Sequence, residues 1–230
     1  MRTRLLYKMI ILKSINDIFK DINMKFIIFD KFHTINNLEN SFELRHITIS
    51  HTYRFINIIT IYPNKYIYIN SISIDPTINA SGNIILNKYK EFGQLNKFKY
   101  IYLYDGSAKQ YNTCDNLLFF TIISLFVYGK TWYQSHGFEY ESKIDYYNLN
   151  KDKTLTNFLS KSDISKYKNA LPDIITDPDI TIYNFIKNLN NLYLRLNIKM
   201  TNKQCKLLND LLFELTDQIF LDEELMYYYF

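Results

Sequence analysis

The hydrophobic period changes twice between residues 65 and 105, and that change restricts the fold more than any other feature of the chain. "KYIYINSISID" (65–75) alternates, with Ile67 and Ile69 on one face and Tyr66, Tyr68, Asn70 and Ile72 on the other. That is the period of a strand. "SGNIILNKYKEFGQLNKF" (81–98) instead places Ile85, Tyr89, Phe92 and Leu95 at the spacing of a one-sided helix. "KYIYLYD" (99–105) is again a short apolar strand, and it stops at "DGS". Strand, helix and strand in this order make a crossover, so the two strands should form a parallel pair.

The flanking text extends this unit in both directions. "KFIIFDKF", "SFELRHITIS" and "YRFINIITIY" are rich in β-branched and aromatic residues, and "PNK" (63–65) is a turn. They predict an antiparallel meander that feeds the parallel pair. Residues 4–22 carry apolar residues at a helical period and predict a first helix. "CDNLLFFTIISLFVYGKTWYQ" (114–134) is apolar nearly all round and predicts a buried helix, after which "GFEYESKIDYYNL" returns to strand character. From about residue 151 the text turns helical. One helix is expected with Thr176 or Asp177 as cap and Pro178 in its first turn, and another with Thr201 as cap. The expectation is an α/β (α+β) chain: a domain over 1–150, then a helical extension over 151–230.

Composition removes several classes of function. The 230 residues are 47% hydrophobic, enough for a full core. A net charge of +4 carried by scattered Lys predicts no dedicated nucleic-acid surface. Asn, Ile, Lys and Tyr abound while Ala, Gly, Pro and Arg are scarce; this tracks AT-rich codons and marks a genome, such as a large DNA virus or an amoeba, rather than a chemistry. Cys114 and Cys205 are far apart with no zinc spacing, so buried thiols in a reducing compartment are expected rather than a disulfide. The basic N-terminal segment is interrupted by Lys8 and Lys13 and lacks a small-residue cleavage site, so a signal peptide is not expected. The longest apolar run, residues 117–128, is too short to span a bilayer. A cytoplasmic protein with no membrane partner is therefore expected, in the host cytoplasm if the source is viral. There is no P-loop, nucleophile elbow, Rossmann glycine set or metal-binding His pair, so no metal is expected.

Two local patterns carry a resemblance. "SISIDPTINASGNIIL" (71–86) is a strand, a Pro, a small-residue turn and a helix, and "WYQSHGFEYE" (132–141) matches Tyr-x-x-x-Gly-Phe. With the element order over residues 42–147, they resemble the core of the GNAT superfamily of N-acetyltransferases. The resemblance implies a mixed, mostly antiparallel sheet with a splayed parallel pair and flanking helices. It implies acetyl-CoA as cofactor and an amine as acceptor, the acceptor being a small amine, a polyamine, a protein N-terminus or a lysine. Ser71, Ile72, Ser73 and Ile74 would pair with the pantetheine arm as an added strand does. Asn79, Ala80, Ser81, Gly82 and Asn83 would meet the pyrophosphate at a helix N-terminus. Of the small-residue pattern only Gly82 is kept; Asn79 stands for a longer polar residue and Ile84 for a small one, and an ordinary helix cap at Asn79 or Ser81 is the alternative reading. Tyr133 matches the general acid that protonates the departing thiolate. Asp105 is a candidate base or water-orienting group and equally a turn cap; Glu43 and His46 are further base candidates, and His136 reads as a helix-end residue. Asp105, Ser107, Cys114, Gly129, Trp132 and Tyr133 together resemble GNAT-like proteins of giant DNA viruses. The resemblance allows an active, weakened or silent enzyme. The alternative is a GNAT-like fold acting as a binding module, with a protein partner or a second copy engaged through residues 151–230.

Overall fold

The computed structural model describes residues 2–29, 41–49, 54–62, 66–72, 80–104, 108–110, 114, 117–196, 198–220 and 225–229. The elements are α1 (Arg2–Phe19), β1 (Ile27–Phe29), β2 (Phe42–Ile49), β3 (Arg54–Tyr62), β4 (Tyr66–Ser71), α2 (Gly82–Leu95) and β5 (Tyr100–Tyr104). They continue with β6 (Ala108–Gln110), β7 (Leu117–Phe119), α3 (Thr121–Tyr128), β8 (Glu139–Tyr140), α4 (Tyr146–Asn150), α5 (Lys161–Ala170), α6 (Ile182–Leu189), α7 (Asn202–Ile219) and β9 (Leu225–Tyr229). The architecture is mixed α/β. The main sheet has seven strands in the order β1-β2-β3-β4-β5-β9-β8, and β6 and β7 form a separate pair. β1/β2, β2/β3 and β3/β4 pair antiparallel, and β4/β5 pair parallel. The chain divides into two compact units, Met1–Tyr104 with Tyr227–Phe230, and Asp105–Met226.

In the first unit, strand register sorts side chains onto two faces. Phe42 and Leu44 of β2, Ile59 and Ile61 of β3, Ile67 and Ile69 of β4, and Ile101 and Leu103 of β5 share one face and are buried. Ile11, Ile15 and Phe19 of α1 and Ile85, Leu86, Tyr89 and Phe92 of α2 are buried with them. The Tyr89 ring lies 5.0 Å from Phe19 and 6.3 Å from Phe26. Polar clamps tie α1 to its neighbours. Asn16 accepts from the Phe26 N–H at 2.7 Å and donates to its carbonyl at 3.1 Å. Lys88 Nζ donates to the Ile18 carbonyl at 2.7 Å, and Asn96 Nδ2 to Ser14 Oγ at 2.8 Å. Leu95 departs from expectation. It is 64% exposed, because α2 ends there and the last turn passes the buried stripe.

In the second unit, α3 buries Thr121 to Phe126 and packs against α6 and α7. The helix expected over 114–134 is shorter and begins later, because Leu117–Phe119 form a strand and Gly129, at φ 74°, ends the helix. A run that is apolar on every side gives no period with which to separate strand from helix. Of the strand expected after it only Glu139–Tyr140 forms; α4 takes residues 146–150. α6 is capped by Thr181, whose Oγ1 accepts from the Asn184 N–H at 3.3 Å, and not by Thr176 or Asp177. α7 has the expected Thr201 cap, closed into a reciprocal box with Gln204. Tyr167 of α5 donates to Glu214 of α7 at 3.2 Å, and burial, then that carboxylate, push its hydroxyl up to about 12.

Two further expectations are corrected. Cys114 and Cys205 are not free thiols: they form a disulfide that joins the segment before β7 to α7. Two cysteines allow one pairing, and a separation of 91 residues does not show in the sequence whether the fold brings them together. Residues 225–229 are strand rather than a continuation of the helical text. Residues 151–220 also share a core with 117–150, since Tyr140, Tyr146 and Phe220 form one ring cluster with centroids 5.0–5.6 Å apart.

Candidate functional site

The expected cofactor-binding residues are carried by the first unit. The parallel ladder runs from Tyr66↔Tyr100 to Ile69↔Leu103. β4 continues to Ser71, which pairs with Ile58 of β3, while Ile69 pairs with Ile59. Asn70 is therefore the extra residue of a bulge, a feature that re-aims backbone groups. Thr60 Oγ1 holds it with a 2.9 Å bond to Asn70 Oδ1. Ser71 ends β4 beyond the last β4–β5 pair, and Ile72 follows it outside the strand. α2 starts on Ala80-Ser81-Gly82. Ser81 is its cap, with Oγ accepting from the Ile84 N–H at 3.5 Å. Capping thus falls to Ser81 rather than Asn79, and one of the four orphan N–H groups of the first turn is met by this side chain. Ala80 and Gly82 are half-buried, Ser81 and Asn83 exposed, and Ile84 is 44% exposed. Ser73, Ile74, Asn79, Asp105 and Ser107 lie outside the described residues.

Tyr133 is carried by the second unit, on a turn separate from α3. Thr131 N–H donates to Gln134 Oε1 at 2.8 Å and Gln134 N–H to Thr131 Oγ1 at 3.3 Å, which nucleates a 3-10 turn over Gln134–His136. His136 Nδ1 donates to the Trp132 carbonyl at 2.8 Å, as suits a helix-end residue, and Ser135 Oγ donates to the same oxygen. The Tyr133 ring meets Trp132 edge-on at 4.7 Å and Phe138 at 5.8 Å, and the residue is buried. Gly137, at φ 82°, reverses the chain, and the Phe138 N–H donates to the Tyr133 carbonyl at 3.2 Å. The Tyr-x-x-x-Gly-Phe spacing is thus one packed turn in which Tyr133 is fixed from both sides.

An open cleft of about 390 Å³ lies beside this turn, lined by Gln134, Glu139, Tyr140, Lys143, Asp145 and Tyr147 among others. Lys143 sits at φ 57°, and Asp145 caps α4 by accepting from the Asn148 N–H at 3.0 Å and its Nδ2 at 2.7 Å. Those two bonds hold the Asp145 carboxyl below the usual carboxylate range. No sequence motif marks this cleft; its trace is the alternation of charged and aromatic residues in "FEYESKIDYY".

The further base candidates are engaged structurally. Glu43 is buried and takes Arg45 Nη2 at 2.6 Å and Nε at 2.9 Å. His46 is buried, with Nδ1 within hydrogen-bond distance of both the N–H and the carbonyl of Lys25. Glu43 shares the sheet face opposite the core with a row of tyrosines. Tyr62 and Tyr66 stack at 4.3 Å, Tyr66 meets Tyr102 at 5.1 Å, and Tyr100 meets Tyr229 at 5.4 Å. Burial, then the Glu43 charge, raise the Tyr62 hydroxyl above its ordinary value. Among the described residues no three His, Cys, Asp or Glu gather as a metal site, and no helix is long and apolar enough to cross a membrane. No family model, curated protein or solved structure matches the chain.

Proposed function

We propose that this chain is a GNAT-like protein that binds acetyl-CoA and transfers its acetyl group to an amine. The observation that supports this most is the β4–α2–β5 crossover. Its parallel ladder ends at Ile69↔Leu103 while β4 runs on to Ser71, and α2 opens on Ala80-Ser81-Gly82. In this reading the bulged end of β4 offers backbone groups to the pantetheine amides, and the first turn of α2 offers N–H groups and a partial positive charge to the pyrophosphate. The amine nitrogen attacks the thioester carbon and gives up a proton to solvent, the C–S bond breaks, and the resemblance assigns to Tyr133 the proton that the leaving thiolate takes up, the phenol then regaining one from solvent. Calorimetric titration of the full chain with acetyl-CoA tests the reading; we expect saturable binding that Gly82→Trp removes, and no heat at millimolar ligand would end it. With a panel of small amines, polyamines and peptides as acceptors, Tyr133→Phe should lower kcat on the order of a hundredfold or more and leave acetyl-CoA affinity unchanged.

A second reading, a GNAT-like fold kept as a binding module, is favoured by Ile84, which stands 44% exposed in the first turn of α2 where the resemblance calls for a small residue. Residues 151–230 would then offer the outer side of α7, where Phe213 is 54% exposed. In that case Tyr133→Phe leaves the biological role intact and Phe213→Asp abolishes it.

A further inference from the structure

We infer that the cleft beside the Tyr133 turn is a binding site for a free α-amino acid with a bulky apolar side chain, held as its zwitterion. The cleft measures about 390 Å³, at the lower end of the size range of small-molecule sites. It carries charge of both signs. Lys143 and Asp145 both line it, two positions apart in the chain. Lys143 is exposed, and its backbone is held at φ 57° in a turn closed by its N–H on the Tyr140 carbonyl at 3.0 Å. Among the described residues it forms no ion pair with Asp145 or with any other carboxylate. Asp145 is ionised at neutral pH, and the two bonds from Asn148 use one lone pair on each of its oxygens and leave the others. Opposite charges so close in the chain, and not paired with each other, suit a ligand whose own two charges flank a single carbon.

The ammonium end has further partners. Leu125 and Gly129 bring the C-terminal end of α3 to the cleft. No N–H among the described residues bonds to the carbonyls of Phe126, Val127 or Tyr128. Such a helix end bears a partial negative charge of roughly half an elementary unit. Glu139 adds a second carboxylate to the wall. A dianion would face these groups with like charge, and a diamine would face Lys143 in the same way. The rest of the wall is apolar and fixed. The Tyr140 and Tyr146 rings meet at 5.0 Å, and Tyr147 packs on Phe126 at 5.9 Å. Rings held in this way suit a large apolar side chain on the ligand. The acetyl-transfer reading uses none of these groups, so the inference stands without it.

Calorimetry of the full chain with three ligands of one skeleton tests it: L-phenylalanine, phenethylamine, which lacks the carboxylate, and phenylpropionate, which lacks the ammonium. The expected result is saturable binding of L-phenylalanine, with each singly charged analogue at least about tenfold weaker. Two variants each remove one charge and keep the backbone. Asn tolerates the left-handed region that Lys143 occupies, and it caps a helix as well as Asp145 does, so the melting midpoint should hold in both. Lys143→Asn should weaken L-phenylalanine at least about tenfold and leave phenethylamine unchanged, while Asp145→Asn should weaken both. No saturable heat with L-phenylalanine up to about 10 mM overturns the inference. Phenethylamine binding as tightly as L-phenylalanine also overturns it and gives the cleft to a plain cation, and phenylpropionate doing so gives it to an anion. Binding of L-phenylalanine that both variants leave unchanged overturns it as well, because the ligand then sits elsewhere.

Discussion

Gly129 closes α3 at φ 74°, and a Cβ placed there would meet nothing within 4 Å. Its cost would therefore be the left-handed backbone alone, and Gly129→Ala should lose about 1 kcal/mol in chemical denaturation. A larger loss would mean that the residue packs. Asp145 gives a test in pH. Its carboxyl is held low by the Asn148 backbone N–H and side chain, so the stability it lends is present above the ordinary carboxylate pKa. It is lost as pH falls through the lowered value. Asp145→Ala should cost about 0.5 kcal/mol at neutral pH, reduced from a full cap by exposure, and the difference from the parent should vanish below the acid limb. Caps show which single residues were legible. Ser81 and Thr201 could be read because capping is settled within four residues. Thr176 and Thr181 both fit that local pattern. Burial of Ile182, Phe185, Ile186 and Leu189, a tertiary fact, decides for Thr181.

At the scale of elements, the meander and the crossover were legible because each strand buries one face, which leaves an alternation in the text. α3 was not, since burial on all sides erases the period. β9 escaped because "LMYYY" follows an amphipathic helix, and its neighbour in the sheet, β5, lies more than a hundred residues earlier. α7 is the spine of the second unit, with Leu208, Leu211, Leu212 and Leu215 all at 0% exposure. Leu211→Ala should cost about 3 kcal/mol in urea unfolding, the transfer loss plus an unfilled cavity. Phe213, half exposed on the outer side of the same helix, should tolerate Ala within about 0.5 kcal/mol. Of the proposed site, the chain reversal at Gly137 and Phe138 was legible because its spacing is local, whereas Tyr133, expected on the buried helix, lies on a turn of its own beyond Gly129. The cleft lined by Glu139 and Lys143 was not, because a cavity wall assembled from several turns leaves no period in the sequence.

At the scale of the molecule, both cysteines and the one tryptophan lie in the second unit. The disulfide closes a separation of 91 residues, worth about 4–5 kcal/mol in the chain-entropy description. Cys114→Ser with Cys205→Ser should therefore lower the midpoint of the Trp132 fluorescence transition and leave the first unit's own transition in place. One transition that shifts as a whole would show the two units melting together. The strand β9 has a consequence of another kind. Residues 227–229 belong to the first unit but are translated only after all of Asp105–Met226. During synthesis the Tyr100–Tyr104 edge waits, unpaired on that side, while the second unit emerges and finds its disulfide partner. The vulnerable moment of this protein is thus on the ribosome, and a crowded polysome should form aggregates seeded by β5 more readily than a refolding tube does.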